Sequence, residues 1–138
     1  MTYQDNLYKI VLLVHIIAAI VAIGPNFIAA SMSRAGDAAV AKLATTTGVI
    51  QLPAMFGVLV TGLFMLTSYP DVDGKSAFAQ AWVSIAFAVL IVMAVLLFLL
   101  ARAYRNNNAK LAAPLTGAMH LLTVVVLYSM VFQPGGGA

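Results

Sequence analysis

Charged side chains occur only between and beside four long runs that contain none: Ile10 to Ser33, Leu43 to Pro70, Ser76 to Ala101, and Leu111 to the C-terminus. A helix needs roughly 20 mainly apolar residues to cross the hydrocarbon of a bilayer. Each run is long enough, and four of them in 138 residues leave almost nothing for a soluble domain. Charged residues make up only 8% of the chain, against roughly 25% in soluble domains. The stretch Ile85 to Leu100 is apolar on every face, whereas a helix at a water-facing surface keeps one polar side. The expected fold is therefore all-α: a single integral membrane domain built as an antiparallel four-helix bundle with short connections. Its helices are expected at about 7–31, 43–68, 76–104 and 111–132, followed by a short flexible tail, 133–138.

The edges of the runs carry an orientation. Arg34 and Lys42 fall in the first connection and Arg102, Arg105 and Lys110 in the third, while Lys9 and Lys75 accompany Asp5, Asp71 and Asp73 on the other side. Basic residues accumulate on the cytoplasmic side of membrane proteins. Both termini are expected outside, with connections 32–42 and 102–111 cytoplasmic. Anionic headgroups account for the basic excess, so no nucleic-acid partner is needed. The first run is longer than a typical signal-peptide core and lacks a basic leader, which reads as a retained helix. The absence of cysteine excludes disulfides, thiolate metal sites and cysteine nucleophiles.

Local punctuation refines the helices. Pro53, in a helix that also holds Gly48, Gly57 and Gly62, removes a backbone donor and should bend its inner half. Gly24-Pro25-Asn26 marks a break near the inner end of the first helix, either a functional bend or a simple terminus. The segment from Tyr69 to Gly74 reads as a tight turn, and Pro114 is tolerated in a first helical turn. Tyr3, Tyr8, Tyr69, Phe78, Trp82 and Phe132 cluster near one proposed surface and Tyr104 near the other. For Trp82 and the tyrosines this favours anchoring at the headgroups. Small residues at helical spacing mark helix contacts: Ala18, Ala19, Ala22 and Ala29 on the first helix, Gly57, Thr61 and Gly62 on the second, and Ala81, Ser84 and Ala88 on the third. Val89 to Leu100 presents a bulky surface suited to lipid or a partner subunit.

Candidate chemistry reduces to seven uncharged polar residues at depth: His15, Asn26, Gln51, Thr61, Ser84, His120 and Thr123. Polar groups in hydrocarbon are costly unless paired, so each should face the bundle interior. At ~1.5 Å per residue His15 lies ~12 Å below the outer surface, offset from His120, and Gln51 comes near the depth of His120. Histidines on two helices of a bundle could ligate haem b axially. The alternative is a neutral imidazole hydrogen-bonded to Gln51, Thr61 or Ser84. Coupled pumping is disfavoured because no Asp or Glu lies at depth. No HExxH, GxSxG or phosphate-binding loop occurs. The seven methionines are scattered and form no close copper-binding cluster.

The run His15-Ile-Ile-Ala-Ala-Ile-Val-Ala-Ile-Gly24, then Thr61-Gly62, Pro70 followed by Trp82, and the ending Tyr128-Ser-Met-Val-Phe-Gln-Pro134 resemble a bacterial family of predicted integral membrane proteins, domain-of-unknown-function family twenty-two sixty-nine. The resemblance covers nearly the whole chain and implies four membrane helices. More distantly, the first helix is similar to those of the copper-resistance D family and the HemJ-type protoporphyrinogen oxidases. In the HemJ type a first-helix histidine helps hold haem, which would carry over to His15 alone. That family also uses a lysine within a later helix, and no lysine lies inside any of the four runs here. The functional expectation is a small inner-membrane protein acting as a non-catalytic accessory or structural subunit, with membrane protein partners or self-association in the bilayer. The alternative is a haem b-binding redox protein using His15 and His120. A channel or carrier is a third reading.

Overall fold

The computed structural model describes residues 6–67 and 76–133, and among them there are helices and no strands. Four helical stretches are long and apolar enough to cross a membrane: Asn6–Ser33, Asp37–Leu66, Ala81–Arg105 and Lys110–Phe132. Each stretch overlaps one of the four expected helices, but the second begins at Asp37 and the third at Ala81, against the expected 43 and 76. Tyr3, the turn at Tyr69 to Gly74 and the tail beyond Gln133 lie outside the described residues.

The first stretch is two helices, α1 (Asn6–Ile23) and α2 (Asn26–Ser33). Pro25 has no N–H to continue the ladder, and Gly24 precedes it. The chain closes the gap with short bonds: Gly24 N–H donates to Ile20 O at 2.7 Å and Phe27 N–H to Gly24 O at 3.1 Å. A side chain at Gly24 would place its Cβ 2.6 Å from the Ile20 carbonyl oxygen. This is backbone, so it cannot swing aside. Gly24→Ala is expected to destabilise the protein by about 1–3 kcal/mol, read as a shift in the denaturation midpoint in mixed micelles.

The second stretch starts earlier than expected. Gly36, with φ 118°, adopts a backbone conformation open to glycine and turns the chain directly into α3 (Asp37–Thr45). A π-helical turn, Thr46–Gln51, then leads into α4 (Leu52–Leu66). The expected bend at Pro53 thus takes the form of a widened turn just before it. The proline ring crowds the carbonyl four residues back, and i→i+5 pairing relieves this: Leu52 N–H reaches Thr47 O.

A 3₁₀ turn, Ala77–Ala79, precedes α5 (Ala81–Arg105), and three asparagines separate α5 from α6 (Ala109–Phe132). Asn107 takes the left-handed conformation, φ 54°, and Asn108 caps α6 by accepting from Leu111 N–H at 3.3 Å.

Helix α1 packs along α4, α5 along α6, α3 against α5, and α2 against both α3 and α6. The apolar core includes Met55, Met93, Leu97, Leu100, Met119 and Val126. Small residues set the close approaches: a Cβ at Gly57 would lie 3.6 Å from Ala18 Cβ, and one at Gly48 3.7 Å from Ala101 Cβ. On α5 the expected small-residue seam is not used. Ala81, Ser84 and Ala88 are exposed, and the buried side is Val83, Ala86, Leu90, Met93 and Leu97. Part of the bulky Val89–Leu100 surface is therefore core, while Ile91, Val92, Val95 and Phe98 face outward.

Candidate functional site

Six of the seven polar residues expected at depth turn inward at least in part, and one does not. Ser84 is exposed, because the buried stripe of α5 passes through Val83 and Ala86 on either side of it. It belongs neither to the bundle interior nor to either histidine.

Asn26 and Gln51 meet at the break in the first stretch. Gln51, 1% exposed, donates from Nε2 to Ala22 O at 2.8 Å and to Asn26 Oδ1 at 3.0 Å. The π turn puts Thr47 and Gln51 among the buried residues, so two backbone irregularities on neighbouring helices are joined by one amide. Thr123 is buried on α6 and returns its hydroxyl hydrogen to Met119 O at 2.7 Å. Thr116 and Ser129 do the same to Ala112 O and Val125 O. These bonds satisfy each hydroxyl within its own helix.

His15 and Thr61 form the second junction. Thr61 Oγ1 donates to Gly57 O at 2.6 Å, and His15 Nδ1 lies 2.7 Å from the same oxygen. The imidazole passes over Gly62, whose absent side chain leaves room: a Cβ there would stand 3.5 Å from His15 Cε1. Beside the ring is a cleft of about 190 Å³, lined by His15 and by residues of α1, α4, α5 and α6.

His120 stands elsewhere. Its ring lies 4.9 Å from the Phe27 ring, centroid to centroid, and it lines a separate cavity of about 410 Å³ with Arg34, Asp37, Tyr104 and Thr116. Its Nδ1 and the Asn26 Nδ2 are buried with no hydrogen-bond partner. The two histidines thus line different cavities. The cleft at His15 is also smaller than the roughly 300–1,000 Å³ of pockets that enclose a drug-sized ligand. These residues do not fit a haem held between His15 and His120 of one chain. Among the described residues no three His, Asp or Glu side chains are grouped to hold a metal ion.

Of the aromatic residues expected near the two surfaces, Phe78 and Phe132 are exposed and three others are not. Trp82, Tyr8 and Tyr104 are each 6% exposed, so they are packed inside the protein instead of standing on its surface. Trp82 donates its indole N–H to Gln80 Oε1 at 2.7 Å. Gln80 and Thr47 are buried polar residues that sequence reading passed over. A glutamine two residues before a lone tryptophan was the available signal for the first; the second is buried by the π turn, which sequence periodicity does not reveal.

No protein-family model, curated protein or solved structure matches this chain. The functional reading rests on the residues themselves.

Proposed function

We propose that the protein is a non-catalytic membrane component that works by helix packing, as an accessory subunit of a membrane complex or as a self-associating bundle. The observation that carries this reading is how the polar side chains at depth are used. Gln51 ties the break in the first stretch to the π turn of the second. Thr61 ties α4 to His15 of α1, and Thr116, Thr123 and Ser129 are spent on their own helix. Groups placed for chemistry would be held open to a substrate; Gln51 and Thr61 instead join helices, and the three α6 hydroxyls are closed on their own helix. Large apolar side chains stand outward on every long stretch, among them Ile17, Phe56, Val95 and Val124, a surface matched to lipid tails or to another membrane helix.

On this reading the four stretches form an antiparallel bundle in a cytoplasmic membrane, with both ends of the chain outside and the basic connections within. The positive-inside distribution of Arg34, Lys42, Arg102, Arg105 and Lys110 supports that orientation. Extraction from its native membrane in mild detergent is expected to yield a complex of fixed stoichiometry, hetero-oligomeric or homo-oligomeric, by cross-linking and native mass spectrometry. A protein recovered only as a monomer, with no cross-linked species in the intact membrane, would overturn the reading.

A further inference from the structure

The two ring nitrogens of His15 have different surroundings, and these decide what each can do. A hydroxyl has one hydrogen, and that of Thr61 is directed to Gly57 O at 2.6 Å. The Thr61 oxygen therefore meets His15 Nδ1, 2.7 Å away, as an acceptor. With the Thr61 hydrogen so directed, the proton of the imidazole is assigned to Nδ1. In a neutral imidazole the other nitrogen, Nε2, then presents a lone pair, because the ring's one further bond, to the Val58 backbone, falls on the Nδ1 side, where Val58 O lies 3.2 Å from Thr61 Oγ1. A doubly protonated ring would be an unpaired charge among apolar neighbours, which is the costlier arrangement.

The cleft that His15 lines is otherwise apolar. Its walls include Gly62, Met65, Trp82, Phe87 and Met130, and the only other side-chain polar atom among these, the indole nitrogen of Trp82, is committed to Gln80. A buried water needs two to four polar partners, and the side chains of the cleft offer one acceptor. What suits it is an apolar molecule with a single strong donor. The flanking Trp82 and Phe87 rings favour an aromatic ring at offset or edge contact, and the Met65 and Met130 sulfurs favour ring edges. About 190 Å³ accommodates a head of one ring.

We propose that this cleft binds the head of a lipid-soluble phenol or hydroquinone, whose hydroxyl donates to His15 Nε2 while its alkyl tail runs out between the helices. A phenol is a stronger donor than an aliphatic alcohol, having a pKa near 10. Thr61 acts as the positioning residue, fixing the tautomer that makes Nε2 an acceptor. This binding goes beyond the packing role and does not rest on it.

The test uses the full-length protein in nanodiscs of saturated phosphatidylcholine, titrated with 4-nonylphenol and with its O-methyl ether. The ether carries a methyl group where the phenol carries its donor hydrogen, and His15→Phe separates the loss of the donor from the added bulk. Trp82 is the sole tryptophan and lines the cleft, so its emission reports occupancy, and the ¹⁵N shift of His15 Nε2 reports the hydrogen bond. Expected are saturable Trp82 responses, affinity about tenfold higher for the phenol than for the ether, and an Nε2 shift with the phenol alone. His15→Phe keeps a ring in place and is expected to abolish the preference. Equal binding of the two probes by the unaltered protein, no saturation, an unmoved Nε2 resonance, or a preference that survives in His15→Phe would each overturn the proposal.

Discussion

Replacing Gly57 by leucine is expected to prise α1 from α4 and to cost about 2–3 kcal/mol of stability or more. A Cβ at this position would already touch Ala18 Cβ at 3.6 Å, so a leucine's remaining carbons have nowhere to go without moving a helix. In lipid, helix association depends on close packing, because the hydrocarbon surroundings are as apolar as the interface itself. No hydrophobic gain offsets the lost fit. The displacement would also part His15 from Thr61, whose Oγ1 is bonded to Gly57 O. Gly57→Ala is the matched control: its single added carbon makes an ordinary contact and should be nearly neutral. Denaturation midpoints in mixed micelles would separate the two variants, and so would the ¹⁵N signature of the His15 tautomer.

The second large effect is expected at Gln51. Gln51→Leu keeps the volume but withdraws the donor from Ala22 O and Asn26 Oδ1, both of which it serves in the buried interior. Leaving a buried polar group unsatisfied costs about 1–3 kcal/mol, and a loss of about 2–3 kcal/mol in all is expected. Asn26 is already incompletely satisfied, since its Nδ2 has no partner. Adding Asn26→Leu should therefore recover part of the loss, as removal of both partners is milder than removal of one. The same denaturation measurement, arranged as a double-mutant cycle, gives the coupling between the two side chains. Equal losses in the single and the double variant would show that the amide pair contributes nothing as a pair.

The four long helices were legible in the sequence because their cause is crude: runs without charge, each longer than the hydrocarbon is thick. The inward placement of Asn26, Gln51, Thr61 and Thr123 follows from the same solvent argument, since an exposed polar group in lipid is penalised. Ser84 escaped it because a serine can return its hydroxyl to its own helix at little cost, so its side is weakly specified. The burial of Trp82 and Tyr8 is not legible because an aromatic near a helix end suits both a headgroup and a buried partner, and the choice turns on tertiary packing such as that of Trp82 with Leu66. The histidines were separated by something periodicity does not carry. Which stretch neighbours which is set by α2 leaning on α6 while α1 follows α4, and this leaves His15 and His120 in different cavities.

The π turn at Thr46–Gln51 has a consequence for everything that follows it in α4. Wider pairing lets the backbone advance through its six residues with less rotation than an α-helix would make, so α4 emerges about one residue, or ~100°, out of phase with α3. Gly57, Thr61 and Gly62 meet α1 only because of that lag. The turn serves as the clutch between the two halves of the second stretch: α3, near the basic connection, keeps its grip on α5, while the far end is free to be set by a different neighbour. A single residue lost between 46 and 51 would keep the helix and its hydropathy intact, yet swing the His15 seat away from α1.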